Sequence, residues 1–200
     1  MPKQVDHHER RKSIAHALWR VVDQQGWAKA TLREVAREAG VSLGQLQHYF
    51  SSRAEMLAFA MEFASERTSH RVERALRSLG HPPHPRDVLR IALTELLPLR
   101  SDSRATSRMN AAYVLEAMHD PSLREQVGLG LRDGRALVER LIRQAMSNGQ
   151  IRPDCDPIIE TDLVLALTGL APLLDLNVIE PQAALAAIDQ HLDRLFGSAS

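Results

Sequence analysis

The sequence predicts an all-α protein: an N-terminal three-helix helix-turn-helix unit, joined by a long helix to a C-terminal helical domain. Three observations carry the prediction. Apolar residues recur at helical rather than alternating spacing. Aromatics make up only 4% of the 200 residues and β-branched runs are absent, so strands have almost no support. Three helix-start signatures also crowd into residues 31–57: Thr31 with Glu34, Ser42 with Gln45, and Ser52 with Glu55. Each is a capping box, in which the first side chain accepts from a backbone NH of the new turn while the Glu or Gln reaches back to the cap residue's own NH.

Taken in order, the first helix spans roughly residues 9–25, with Ile14, Ala17, Leu18, Val21 and Val22 on one stripe and Gly26 as the stop. Ala39-Gly40-Val41 separates the next two helices, and glycine there permits a sharp turn. The third capping box opens a long helix over about 53–79, ended by Gly80-His81-Pro82-Pro83. Further helices are predicted near 86–100, 104–118, 121–147, 157–176 and 181–196, several with proline in the first turn. Pro98 and Pro172 lie inside or at the end of apolar patterns and should kink or stop their helices. The domains are expected at 1–55 and 56–200.

Lys+Arg equals Asp+Glu at 25 each, so the overall balance argues for no charged partner. Residues 1–55 hold nine basic and six acidic side chains, however, which makes a mildly basic front end. The single cysteine, Cys155, cannot form an internal disulfide and fits a reducing, cytoplasmic compartment. The polar start of the chain and the short, interrupted apolar run Leu163 to Leu174 predict neither signal peptide nor membrane span.

Thr31 to Phe50 reads TLREVAREAGVSLGQLQHYF. Leu32, Val35, Ala36 and Ala39 would pack against Val41, Leu46 and Phe50 at the corner, and the other face of the second helix would present Leu43, Gly44, Gln45, Gln47, His48 and Tyr49 outward. Those groups suit the major groove of double-stranded DNA. A glutamine amide pairs with an adenine edge, glycine lets the backbone approach, and Leu43 can touch a thymine methyl. His48, Tyr49, Thr31, Ser42 and the helix N-termini suit phosphate contacts.

The block from Thr31 to Leu57, preceded by the Ile14-to-Gly26 helix, resembles the DNA-binding domain of the TetR family of bacterial transcription regulators. The resemblance rests on Gly26, the Thr31 cap, the Ala39-Gly40-Val41-Ser42 turn, His48-Tyr49-Phe50 and Ser52-Arg53-Ala54-Glu55-Met56-Leu57. Gln47 stands where the family usually has tyrosine. Arg53 stands where it usually has a phosphate-binding lysine, which keeps the charge. The C-terminal part is similar to the betaine-pathway repressor branch in Met118-His119-Asp120-Pro121, Leu167-Thr168-Gly169-Leu170 and the Pro181-to-Leu195 helix.

The resemblance implies a homodimer, built from the last two helices of each subunit, that binds a palindromic operator and is released by a small-molecule effector. Leu167, Leu170, Leu174, Ala184, Leu185, Ile188, Leu192 and Leu195 are the candidate interface, though the last helix's stripe could equally be intramolecular core. Met61, Phe63, Thr94, Leu97, Met109, Asn110, Tyr113, Leu137 and Thr168 are candidate effector contacts, or ordinary core with satisfied polar groups. No nucleophile, base and orienter fall in a recognisable signature, so no enzymatic activity and no cofactor are expected. His81 and His84 flank two prolines that prevent helical alignment, and no metal site is expected. The competing readings are an all-α small-molecule carrier or enzyme with an incidental helix-turn-helix, and a DNA-binding regulator or activator governed by a protein partner.

Overall fold

The computed structural model describes residues 2–79 and 82–197, and every regular element among them is helical. His81 of the considered metal pair lies outside the described residues. Helix α1 spans Pro2–Gln25 and so starts earlier than predicted, with its proline harmlessly at the first position. It ends at Gly26, whose φ of 81° redirects the chain while its NH bonds back to the Val22 carbonyl at 3.0 Å. After a 3-10 turn at Trp27–Lys29 come α2 (Leu32–Glu38), α3 (Leu43–Tyr49) and α4 (Arg53–Arg77). Next are α5 (Pro85–Leu96), α6 (Ser101–Ala117) and α7 (Pro121–Ser147). The helix predicted over 157–176 is two, α8 (Pro157–Ala166) and α9 (Leu170–Asp175), separated by a 3-10 turn at Leu167–Gly169. Pro172 has no NH to offer the preceding turn, and the backbone tightens ahead of it. Helix α10 spans Pro181–Phe196.

Two compact units form. One contains the chain up to Arg67 together with Arg104–Val127, the other Thr68–Ser103 together with the chain from Gly128 onward. Helices α4, α6 and α7 each contribute a segment to both units.

In the first unit, Ile14, Leu18 and Val21 of α1 meet Val35, Leu46, Phe50 and Leu57 in one buried cluster that also takes in Met109 and Tyr113 of α6. Leu32, Ala39 and Val41 pack on it half-buried, which gives the helix-turn-helix corner expected of them.

In the second unit, α5 and α10 supply the centre. Leu89 and Leu93 lie in one cluster with Ile188 and Leu192, and Arg90 forks onto Asp189 at 2.6 and 3.1 Å. Ala184, Ile188 and Leu192 are completely buried within the single chain, and Leu195 and Leu174 nearly so. Their side chains pack in the intramolecular core, the alternative the sequence left open. Leu167 and Leu170 pack half-buried on the same core, whereas Leu185 is half-buried without joining it.

Exposed apolar side chains of this unit lie elsewhere: Ile158, Ile159, Leu163, Leu173, Leu176 and Val178 on α8, α9 and beyond, with Leu96 on α5 and Leu129, Leu131 and Leu137 on α7. By length and composition alone, the run Pro157–Asp175 would suffice to cross a membrane. The 3-10 turn interrupts it.

Burial lowers the pKa of two histidines. At His16, burial acts first, followed by Arg67 and Arg20; at His191, burial and Arg194 outweigh Glu160. A histidine whose pKa falls on folding binds more protons in the unfolded chain. Its contribution to stability is complete above the unfolded value of 6.5 and is lost as pH falls through the lower folded value. The melting temperature is accordingly expected to drop on acidification below about pH 6.5. His191→Gln should flatten that drop in a thermal-melt series from pH 8 to 5.

Candidate nucleic-acid interface

The α2-turn-α3 unit is positioned by its caps. Thr31 Oγ1 accepts from the Glu34 NH at 3.2 Å and starts α2. The Glu34 carboxylate does not reach back to complete a box, because it is engaged by Arg37 and by the Gln25 amide. Those hydrogen bonds, Arg37's first and Gln25's second, pull the Glu34 carboxyl down to about 2. The turn closes at Gly40, whose φ of 68° only glycine adopts without strain, and the Val41 NH returns to the Ala36 carbonyl at 3.0 Å.

Helix α3 has the full reciprocal box: Ser42 Oγ accepts from the Gln45 NH at 3.1 Å, and Gln45 Oε1 accepts from the Ser42 NH at 3.0 Å. At α4, Ser52 Oγ accepts from the Glu55 NH at 3.0 Å, but the Glu55 carboxylate takes the NH and hydroxyl of Ser51 at 2.8 Å instead of the Ser52 NH.

Leu46 and Phe50 anchor α3 from below, each completely buried. Gly44, Gln45, Gln47 and His48 are exposed on its free side, with Leu43 and Tyr49 half-buried at the edges; Thr31 and Ser42 are exposed at the helix starts. Gly44, Gln45, His48 and Tyr49 line one groove, and Gln47 lies outside it. Gln45 and Gln47 differ further: the Gln45 oxygen is held by the cap, whereas the Gln47 amide makes no hydrogen bond within the described residues.

Arg53 is placed differently from the rest. Its guanidinium lies 3.7 Å from the centre of the Trp27 ring and donates to the Trp27 carbonyl at 2.6 Å, with Glu116 of α6 at 3.9 Å. The Trp27 indole NH donates to the same Glu116 carboxylate at 3.0 Å. Arg53, Trp27 and Glu116 thus form a knot that fixes the start of α4 to the 3-10 turn and to the end of α6. Neither Trp27 nor Glu116 is marked by any motif.

The candidate effector contacts are distributed over both units. Met109 and Tyr113 are packed core of the first unit, Met61 and Phe63 lie half-buried beside them, and Asn110 is exposed. Phe63 stacks on Trp19 at 5.5 Å. Leu97 is core of the second unit and Leu137 is exposed. Thr94 and Thr168 donate their hydroxyls to the carbonyls of Arg90 and Leu165, each at 2.8 Å, the first within α5 and the second from the 3-10 turn back to α8. Among the described residues, no three His, Cys, Asp or Glu side chains are grouped to hold a metal ion.

Comparison with known proteins places this geometry. Residues 14–59 match the family model for bacterial regulatory proteins of the tetR family, and residues 85–197 match that for the C-terminal domain of BetI-type transcriptional repressors. The chain is 33% identical over 199 residues to the HTH-type transcriptional regulator PksA of Bacillus subtilis (strain 168), covering 98% of this chain and 94% of that protein. It is 32% identical over 124 residues to the HTH-type transcriptional regulator BetI of Ectopseudomonas mendocina (strain ymp), covering 62% and 63% of the two chains. A solved transcriptional regulator from Rhodococcus sp. Rha1 superimposes with a TM-score of 0.78 at 28% identity, over 92% of this chain and 95% of that one. With its capped helix-turn-helix matched at one end and a repressor-type domain at the other, the chain belongs to the TetR family of bacterial transcriptional regulators.

Proposed function

We propose that the protein is a cytoplasmic homodimeric repressor, not an enzyme, that binds a palindromic operator through α3 of each subunit and is released by a small-molecule effector. The observation that carries this reading is the fully capped α3, anchored by Leu46 and Phe50, with its exposed polar side unobstructed. Two such helices in successive major grooves require half-sites about 34–36 Å apart, or a multiple of that spacing. An effector releases the operator if it binds more tightly to an arrangement whose helix spacing no longer fits. The second subunit is assigned to the exposed apolar stripe of α8 and α9, where Ile159, Leu163, Ala166 and Leu173 recur at helical spacing, and not to the buried α10 stripe.

Within the interface, Gln47 is the amide free to read a base. A bidentate pair with adenine uses both the oxygen and the nitrogen of a glutamine, and the Gln45 oxygen is already committed to the cap. Gly44 and Leu43 take the close and apolar contacts, while Thr31, Ser42, His48 and Tyr49 face phosphates. Gln47→Ala is expected to relax base preference at one position of each half-site, worth about 1–3 kcal/mol of discrimination, with an unchanged melting temperature. Gln45→Ala is expected to lower the melting temperature instead. Competition binding with single-base operator variants, paired with thermal melts, checks both. Unaltered base preference in Gln47→Ala would remove that residue from the readout.

A further inference from the structure

We propose that Arg10 contacts the DNA phosphate backbone, so that α1 extends the interface along one flank of α3. This inference rests on the DNA-binding reading and adds to it a residue outside the helix-turn-helix.

The N-terminal part of α1 runs beside the recognition helix. The His7 ring lies 4.8 Å from the Tyr49 ring and 6.3 Å from that of His48, which fixes the neighbouring face of α1 against the end of α3. Arg10 is three residues further on and therefore on the same face. It lines a groove of about 320 Å³ together with Val41, Gly44, Gln45, His48 and Tyr49. Among the described residues, no carboxylate lines that groove.

Neighbouring cations are otherwise engaged. Arg11, one residue away and turned to another face, sits 4.6 and 4.4 Å from the Phe50 and Phe59 ring centres and pairs with Glu55 at 3.3 Å. Lys12 pairs with Glu9, Arg20 with Glu38 and Arg37 with Glu34, while Arg53 belongs to the Trp27 knot. Among the described basic residues before residue 56, Arg10, Lys29 and Arg33 are left without an ion pair or hydrogen bond, and of these Arg10 lines the groove. An exposed, unneutralised guanidinium beside the exposed edge of α3 matches a polyanion laid along that helix. Its planar fork suits phosphate oxygens.

The test is the salt dependence of operator binding by the full chain, on a fragment that the wild-type protein selects from random DNA. Each phosphate neutralised contributes about 0.9 to the log–log slope, so removing one contact from each subunit of a dimer should flatten it by about two. Arg10→Ala is expected to do this while leaving base preference and melting temperature unchanged, and Arg10→Lys should restore most of the slope. A wild-type slope in Arg10→Ala overturns the assignment while operator binding stands. A fall in melting temperature that accounts for the weaker binding also overturns it, since Arg10 would then be structural. If the wild-type protein selects no fragment, the DNA-binding reading itself fails, and Arg10 with it.

Discussion

Charging the exposed apolar stripe of α8 is expected to turn the protein into a monomer that no longer holds its operator. Ile159 is 58% and Leu163 42% exposed in the single chain, four residues apart on one helix face. Side chains of this size contribute about 1.5–3 kcal/mol each when fully buried, and a two-fold interface counts each of them twice. The double variant Ile159→Glu, Leu163→Glu removes that burial and sets like charges against each other across the axis. Sedimentation equilibrium should then show the mass of one chain. Operator affinity should fall by at least about a hundredfold, because two half-sites are no longer engaged by one particle. Ile188→Ala is the contrast. Its side chain is completely buried within the chain, so it should lose about 2–5 kcal/mol of stability and still dimerise. A double Glu variant that remains a dimer would place the interface on another surface.

Arg53→Ala is expected to cost stability and operator affinity together. A partly desolvated cation over an aromatic ring contributes about 0.5–2 kcal/mol, and a hydrogen bond from a charged donor about 1.5–3 kcal/mol. The Trp27 contact combines both, in a guanidinium that is one-third exposed. A loss of about 1–3 kcal/mol is expected by chemical denaturation. DNA binding should weaken alike for all sequences, because the start of α4 is no longer held to the 3-10 turn and α6. Arg53→Lys separates positioning from direct phosphate contact: a lysine keeps the charge but cannot reproduce the planar stack. The lysine variant should recover neither property fully. Wild-type affinity in a destabilised Arg53→Lys protein would assign Arg53 to the phosphates.

Local chemistry made the helix-turn-helix readable from sequence. Its caps are side chains within three residues of the backbone groups they satisfy, and its turn needs a positive φ that Gly40 supplies. Even there the reach of a carboxylate depended on tertiary neighbours, since Glu34 is taken by Gln25 and Arg37. The knot at Arg53 could not be read in the same way: Trp27 and Glu116 are 89 residues apart, and no periodicity links them. The apolar stripe of α10 illustrates another limit. Helical spacing says that a face is covered, but Ile188 and Leu192 are covered by α5 of their own chain, while α8 buries Val164 in the same core and leaves Ile159 and Leu163 exposed. Arg10 was hidden in a basic run, Arg10-Arg11-Lys12. Only the placement of α1 beside α3 shows which of the three is neither buried on phenylalanine nor paired with glutamate.

Selection of bound fragments from the source genome by the purified protein at near-physiological salt tests the central claim most directly. The expected result is enrichment of a palindrome whose half-sites lie one helical turn, or a multiple of it, apart, with base preference narrowed by Gln47 and lost at its position in Gln47→Ala. Fragments bound only weakly, without a shared sequence and with affinity that vanishes as salt rises, would contradict it and leave α3 as a helical corner with no sequence to read.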